Sequence, residues 1–191
     1  MRITLIRHGK TRSNTERRYT GVTDVPLSME GRAETERARH DETVLTVIVS
    51  PLLRARETAA ILFPNAKQIV ADGLKEMDLG AFEGRTAEEM QNDPVYRAWV
   101  EGGGRGMYPG GESIDTFRTR VCASFLKTLE TAEDGAIYVV HGGVIMAILS
   151  AFAVPNRDFY EWDADNLGGY VCEVETAPGG IVLRNPQTIH Y

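Results

Sequence analysis

Four short stretches of this chain hold residue types that can do chemistry together. The first is Leu5-Ile6-Arg7-His8-Gly9-Lys10-Thr11, with Asn14 close behind. A neutral imidazole such as His8 can attack phosphorus and carry the phosphoryl group as a covalent intermediate. The transition state of that step is strongly anionic, so positioned positive charge does most of the work. Arg7 can grip phosphate oxygens with a planar fork that lysine does not have. Gly9 leaves room for the phosphate, and Asn14 can donate from its amide. The second stretch, Ser50-Pro51-Leu52-Leu53-Arg54-Ala55-Arg56-Glu57-Thr58, sets Arg54 within about one turn of a helix start, near its positive end. The third runs from Leu74 to Gly84 and supplies Glu76, Asp78 and Glu83 as carboxylates for proton transfer to a leaving oxygen. The fourth, Val139-Val140-His141-Gly142-Gly143, offers an imidazole donor and the free amides of a helix start. Taken singly, each has a plainer reading: a strand-end histidine bonded to a carbonyl, the solvated basic face of a helix, an acidic surface loop, a glycine turn.

Those residues need a scaffold, and the pattern supplies one. Residues 2–7 (RITLIR) form a short β-branched run and predict a strand that ends at His8. Further strands are predicted over residues 44–49, 68–71 and 136–140, with a closing hairpin of 171–174 and 181–183 around Pro178-Gly179-Gly180. Helices are predicted over 28–39 with Ser28 as N-cap, 52–62 entered through Pro51, 88–100 broken at Pro94, 113–129 and 144–152. Ile114, Phe117, Val121 and Phe125 recur at the three- and four-residue spacing of a helix face. Residues 101–112 (EGGGRGMYPGGE) are too rich in glycine for either state and read as a loop. Strands alternating with helices predict a three-layer α/β/α sandwich around a mostly parallel sheet, one domain over residues 1–191. In such sheets ligands sit beyond the carboxyl ends of the strands. His8, Ser50 and His141 each follow a predicted strand, so they are expected to converge.

Composition narrows the partners. The 191 residues carry 27 acids and 21 bases, a net charge of −6, which disfavours nucleic acid. Yet residues 1–18 hold six bases against Glu16 alone, and a local basic cluster on an acidic body suits a small anion. Cys122 and Cys172 form no C-x-x-C pair and are read as reduced thiols of a cytoplasmic protein. There is no signal-peptide pattern and no run of 18 apolar residues, so no membrane association is expected. The four histidines lack ligand spacing, so neither a metal nor another cofactor is expected. His40 and His190 stand outside any motif and are expected to be structural or exposed; Arg56 reads as surface charge, and Arg105 has no assigned role.

Jointly, the R-H-G run, S-x-L-x-R-A-x-x-T at 50–58, L-x-E-x-x-x-G-x-F-E-G at 74–84 and the late H-G resemble the histidine phosphatase superfamily, which includes the cofactor-dependent phosphoglycerate mutases. Tyr19-Thr20-Gly21, Asp24-Val25-Pro26-Leu27-Ser28, Gly110-Gly111-Glu112-Ser113 and Phe117…Arg120-Val121 extend the likeness over most of the chain. The resemblance implies that His8 is the phosphorylated nucleophile and that Arg7, Arg54 and His141 form the phosphate pocket. It adds Asn14, Thr20, Gly21 and Gly142 as substrate contacts and Glu76 as proton donor, with Asp78 a second candidate and Glu83 structural. Two features depart from the pattern: a short first helix and loop, and glycine at position 143.

The expected activity is a phosphomonoesterase acting on a small-molecule phosphate ester. The run Glu76-Met77-Asp78-Leu79-Gly80-Ala81-Phe82-Glu83, with Tyr96-Arg97-Ala98-Trp99 and Trp162…Tyr170, is similar to α-ribazole phosphatases, which remove a 5′-phosphate during cobalamin assembly. Tyr108, Trp99 or Phe82 can offer a planar base an apolar face. The alternatives are a broad-specificity phosphatase, a phosphoglycerate mutase, and a noncatalytic binding module on the same fold. Mutases of the family carry a longer basic insertion after the donor, which this chain lacks. The sequence leaves the oligomeric state open. Because two arginines and two histidines supply the positive charge a metal would give, turnover is expected to survive exhaustive chelation. Loss of activity that magnesium or zinc restores would contradict this.

Overall fold

The computed structural model describes Met1–Gly104 and Gly106–Tyr191; Arg105 lies outside the described residues. In chain order the strands are β1 (Arg2–Arg7), β2 (Thr46–Val49), β3 (Lys67–Val70), β4 (Ala136–Val140), β5 (Ala153–Val154), β6 (Gly168–Ala177) and β7 (Gly180–His190). The helices are α1 (Arg12–Thr15), α2 (Met29–Arg37), α3 (Leu53–Leu62), α4 (Ala87–Met90), α5 (Pro94–Glu101), α6 (Ile114–Leu129) and α7 (Gly142–Phe152). Short 3-10 turns lie at Asp72–Leu74, Gly80–Phe82 and Phe159–Trp162.

All seven strands join one sheet in the order β3-β2-β4-β1-β6-β7-β5. Neighbours are parallel except on either side of β6, which runs against both β1 and β7. Alternate residues of each strand face opposite layers, as the two-residue period of a strand requires. On one face Ile6, Val47, Val49, Ile137 and Val139 pack with Ala55, Ala59 and Leu62 of α3, and α2 lies against α3. On the other, Leu5, Ile48, Tyr138 and Val140 pack with Phe117, Val121 and Phe125 of α6 and Val144, Ile145 and Ile148 of α7. This is the α/β/α sandwich around a mostly parallel sheet that the alternating pattern predicts.

The central strands end level with one another. Arg7 pairs with Val140 and Val49 with Val139, so β2, β4 and β1 deliver Ser50, His141 and His8 to one edge. The ladder continues one step past the strands, with the His8 amide donating to the Val140 carbonyl (3.0 Å) and the Ser50 amide to Val139 (3.2 Å). On the other side of β1, Gly169 of β6 faces Ile6. A Cβ there would stand 1.8 Å from the Leu5 carbonyl oxygen.

Several boundaries differ from the sequence reading. Helix α7 begins at Gly142, two residues before its apolar run, because His141 is already its N-cap. Helix α2 stops at Arg37, and β2 starts at Thr46. The closing hairpin is far longer than 171–174 and 181–183. Strand β7 carries Asn185 and Pro186 in its middle, and their punctuation hides the continuation. Between Val171 and Glu173 the β6–β7 register shifts, and Asn185 takes a left-handed φ of 52°. That bulge absorbs a proline that cannot donate to the ladder.

The tight approach at Gly169 makes a direct prediction. Gly169→Ala should cost about 3 kcal/mol of unfolding free energy, or block folding, since overpacking against backbone has little room to relax. Denaturant titration measures it, and an unchanged midpoint would refute it.

Candidate active site

His8 is 5% exposed and its Nδ1 lies 2.7 Å from the Gly9 carbonyl oxygen. A carbonyl only accepts, so Nδ1 carries the proton and Nε2 presents a lone pair. Nε2 accepts from the Arg54 Nε–H at 3.2 Å. Burial, the positive charge of Arg54 and that of Arg7 hold His8 well below the usual imidazole value of 6.5, against the opposing pull of the Gly9 bond. The ring is therefore neutral near neutral pH, with its lone-pair nitrogen beside a guanidinium.

Arg54 is 1% exposed. It reaches this depth because α3 starts just behind it, and Asp24 accepts the amide of Leu53 at that start (2.6 Å). Its two Nη nitrogens each donate to a carbonyl, of Gly21 (2.7 Å) and Thr23 (2.9 Å), and each keeps a second N–H free for a ligand. Those carbonyls are held in turn by Glu83, whose carboxylate accepts from the amides of Gly21 and Val22 and from the Thr23 hydroxyl (2.6 Å). A Cβ on Gly21 would fall 1.8 Å from the Met77 carbonyl, so only glycine fits the crossing. Gly21 thus acts through its backbone on Arg54. The neighbouring Thr20 hydroxyl donates to the Arg18 carbonyl (3.2 Å).

Arg7 donates to the Ala164 carbonyl (2.6 Å) and lies 3.7 Å from Asp163. His141 is fully buried, with Nε2 at 2.6 Å from the Ser50 hydroxyl and its ring centroid 5.2 Å from that of His8. Burial, then Arg54, His8 and Arg7, lower its pKa well below 6.5, so both histidines are neutral and the positive charge comes from the arginines, not from all four residues as the sequence suggested. Two polar nitrogens here are buried without a partner: Nε of Arg7 and Nδ1 of His141. Asn14 spends its carbonyl oxygen on the Thr11 cap of α1, and Asn166 ties that oxygen to the His8 backbone. Only the amide end of Asn14 is left as a donor.

Glu76 is half-buried. It accepts from its own neighbour Met77 (2.9 Å) and from the amide of Gly143 in the first turn of α7 (2.9 Å). A Cβ on Gly143 would meet Glu76 at 2.3 Å, so the unusual second glycine of the H-G-G run makes this contact possible. Withdrawal from water pushes the Glu76 pKa above 4.5, more strongly than the two amides, Arg54 and Arg7 pull it down. Asp78, by contrast, accepts from the Gly80 amide and shapes a turn.

Two residues outside the sequence-predicted set hold the Glu76 stretch in place. Arg120 of α6 makes a two-pronged pair with Glu112 (2.9 and 2.7 Å). It also donates to the carbonyls of Gly73, Lys75 and Glu76. Glu112 accepts the Asp78 amide as well (3.0 Å). Ser50, expected from its strand end to converge on this edge but given no role, holds His141 instead. Each of the three sits inside a quoted motif. Gly9 departs from expectation: a Cβ there would strike Thr35 of α2 at 2.5 Å, so the space it leaves is filled by protein. Phe82 and Tyr108 are buried among Tyr19, Tyr96 and Trp99, ring against ring; Trp99 alone of the three named aromatics stays partly exposed. Arg56, His40 and His190 are exposed, as expected. Among the described residues no cluster of His, Cys, Asp and Glu could hold a metal ion, and no helix is long and apolar enough to cross a membrane.

Known proteins resemble this chain in sequence and fold. The family model of the histidine phosphatase superfamily (branch 1) matches residues 3–187, and the chain belongs to that family. A probable phosphoglycerate mutase, GpmB, of Salmonella choleraesuis is 32% identical over 157 residues, covering 78% of this chain and 73% of the relative. Among solved structures, a phosphoglycerate mutase from Thermus thermophilus superposes with a TM-score of 0.69 at 31% identity, covering 99% of each chain. The alpha-ribazole phosphatase from Shigella flexneri has a TM-score of 0.79 at 23% identity, covering 97% of this chain and 96% of its own, a likeness of fold.

The two shifted groups predict a pH profile. A nucleophilic His8 must be neutral, so activity is lost as pH falls through its depressed pKa. A donor Glu76 must be protonated, so activity is lost as pH rises through its raised pKa. The profile of kcat/KM should be a bell displaced toward acid. Glu76→Gln should remove the alkaline limb and cost alkyl phosphates about 10²-fold or more, but nitrophenyl phosphate far less. Equal losses on both substrates would refute the donor role.

Proposed function

We propose that this chain is a phosphomonoesterase that works through a phosphohistidine at His8. The observation that carries the reading is the His8 ring itself, with Nδ1 pinned to Gly9 and Nε2 turned to Arg54. Nε2 attacks phosphorus as the bond to the leaving oxygen breaks, and Glu76 gives that oxygen its proton. Arg7, Arg54, His141, the Asn14 amide and the Gly142 amide bind the phosphoryl oxygens; Thr20 and Gly21 belong to the segment that seats Arg54. Water then attacks the phosphohistidine, its proton passes to the Glu76 carboxylate, and His8 recovers its lone pair. No metal or other cofactor enters these steps. The free Cys122 and Cys172 fit a cytoplasmic setting.

For the substrate we propose α-ribazole 5′-phosphate, on the strength of the Glu76–Glu83 run; the partly exposed Trp99 is the one aromatic of the three with surface left to offer a base. A phosphoglycerate mutase is the second reading, favoured by the names of relatives above 30% identity. Rapid quenching with labelled substrate should trap label on the wild type and none on His8→Ala; equal labelling would refute the nucleophile. Specificity constants for α-ribazole 5′-phosphate, 3-phosphoglycerate and nitrophenyl phosphate test the substrate. If the ribazole ester is not preferred, the activity is a broad phosphatase. Transfer from 2,3-bisphosphoglycerate to 3-phosphoglycerate that outpaces hydrolysis would establish the mutase.

A further inference from the structure

We infer that Ser50 fixes the proton of His141 on Nδ1, so that a neutral imidazole is the phosphate's hydrogen-bond donor. The donor role rests on the phosphoryl-transfer reading above; the proton's position does not.

The argument is an accounting of donors and acceptors in a dry place. Ser50 and His141 are both fully buried, at the ends of the neighbouring strands β2 and β4. The Ser50 oxygen accepts from the Leu52 amide at 3.3 Å. Its own proton still needs an acceptor, and a buried hydroxyl left without one is costly. Among the described residues the only acceptor bonded to it is Nε2 of His141, at 2.6 Å. Nε2 must then be the bare nitrogen, and a neutral ring with bare Nε2 carries its proton on Nδ1.

The two rival states each leave something unmatched. With the proton on Nε2, His141 would donate to Ser50, and the serine proton would have nowhere to go. Nδ1 would then be a lone pair, which repels a phosphate oxygen. An imidazolium would add a cation beside Arg7 and the buried Arg54 and would also strand the serine proton. The buried, partnerless state of Nδ1 is the matching observation. A bonding N–H is held there beside the His8 ring, where the phosphoryl group would be carried. Ser50 is thus a positioning residue: it touches His141, and His141 touches the phosphate.

Protein with 15N-labelled histidines tests this without turnover. Long-range proton–nitrogen spectra of the ligand-free wild type at neutral pH should show His141 neutral and protonated on Nδ1. Ser50→Ala should mix the tautomers and weaken inorganic phosphate binding about tenfold, the loss of one well-placed hydrogen bond. Ser50→Thr, which keeps the hydroxyl, should restore both. An Nε2-protonated or doubly protonated His141 in the wild type would overturn the inference, even if Ser50→Ala does not fold. So would a Ser50→Ala protein with unchanged tautomer and phosphate affinity. A wild type with the proton on Nδ1 that binds no phosphate would uphold Ser50's part and overturn the phosphoryl-transfer reading instead.

Discussion

The burial of Arg54 is the constraint on which the rest of the site depends. A guanidinium stays charged at any ordinary pH, and a charge out of water must be met by fixed dipoles. Here those dipoles are two backbone carbonyls and one imidazole nitrogen. The carbonyls belong to the loop at residues 21–23, which would have no reason to hold its shape without Glu83. The imidazole belongs to β1. One buried cation therefore ties the end of the central strand, the start of α3, a crossing loop and a carboxylate from a distant turn. The structural role of Glu83 and the nucleophilic state of His8 are two ends of one chain of bonds.

Burial, reinforced at the histidines by the same charge, sets the protonation of Arg54's neighbours. Arg54 and Arg7 stand close to two histidines and a glutamate. Cations beside an imidazole disfavour its charged form, and both rings are held neutral. Glu76 feels the opposite pull from those cations, yet withdrawal from water prevails and its proton is held more tightly than usual. Burial thus acts on groups of opposite charge type in opposite directions, keeping the imidazoles neutral and shifting Glu76 toward its protonated form. Glu76 rests on the first turn of α7, where its carboxylate meets the same helix-end amides that suit an anionic oxygen.

The fold was legible wherever apolar period and punctuation agreed. Strand β4 and helix α6 fall at their predicted positions because Ile137–Val140 and Phe117, Val121 and Phe125 bury completely or nearly so. Strand β7 was cut short because Pro186 looks like a stop, and only the tertiary register of β6 turns it into a bulge. The motifs brought His8, Arg54, Glu76 and His141 to notice, and the structure brings them together. The supporting residues stayed hidden for a common reason. Ser50, Glu112 and Arg120 act across 91, 34 and 44 or more positions of sequence, and no local spacing encodes such partners. The value of a serine at a strand end depends on which strand lies beside it.

The anchoring of Glu112 has a consequence for how such a protein can diversify. The Glu112 amide donates to the Asp78 carbonyl, the Ala81 amide to Pro109, and Arg120 clamps the carboxylate. The chain is thereby stapled down where the glycine-rich segment ends, next to the stretch that carries Glu76. The Tyr108–Glu112 turn is one fixed post, and α5, packed through Tyr96 and Trp99, is the other. A change in the spacing between the posts would be taken up before it reached the anchored Glu76 stretch. Surface connections held at both ends in this way tolerate changes of length better than the elements they join.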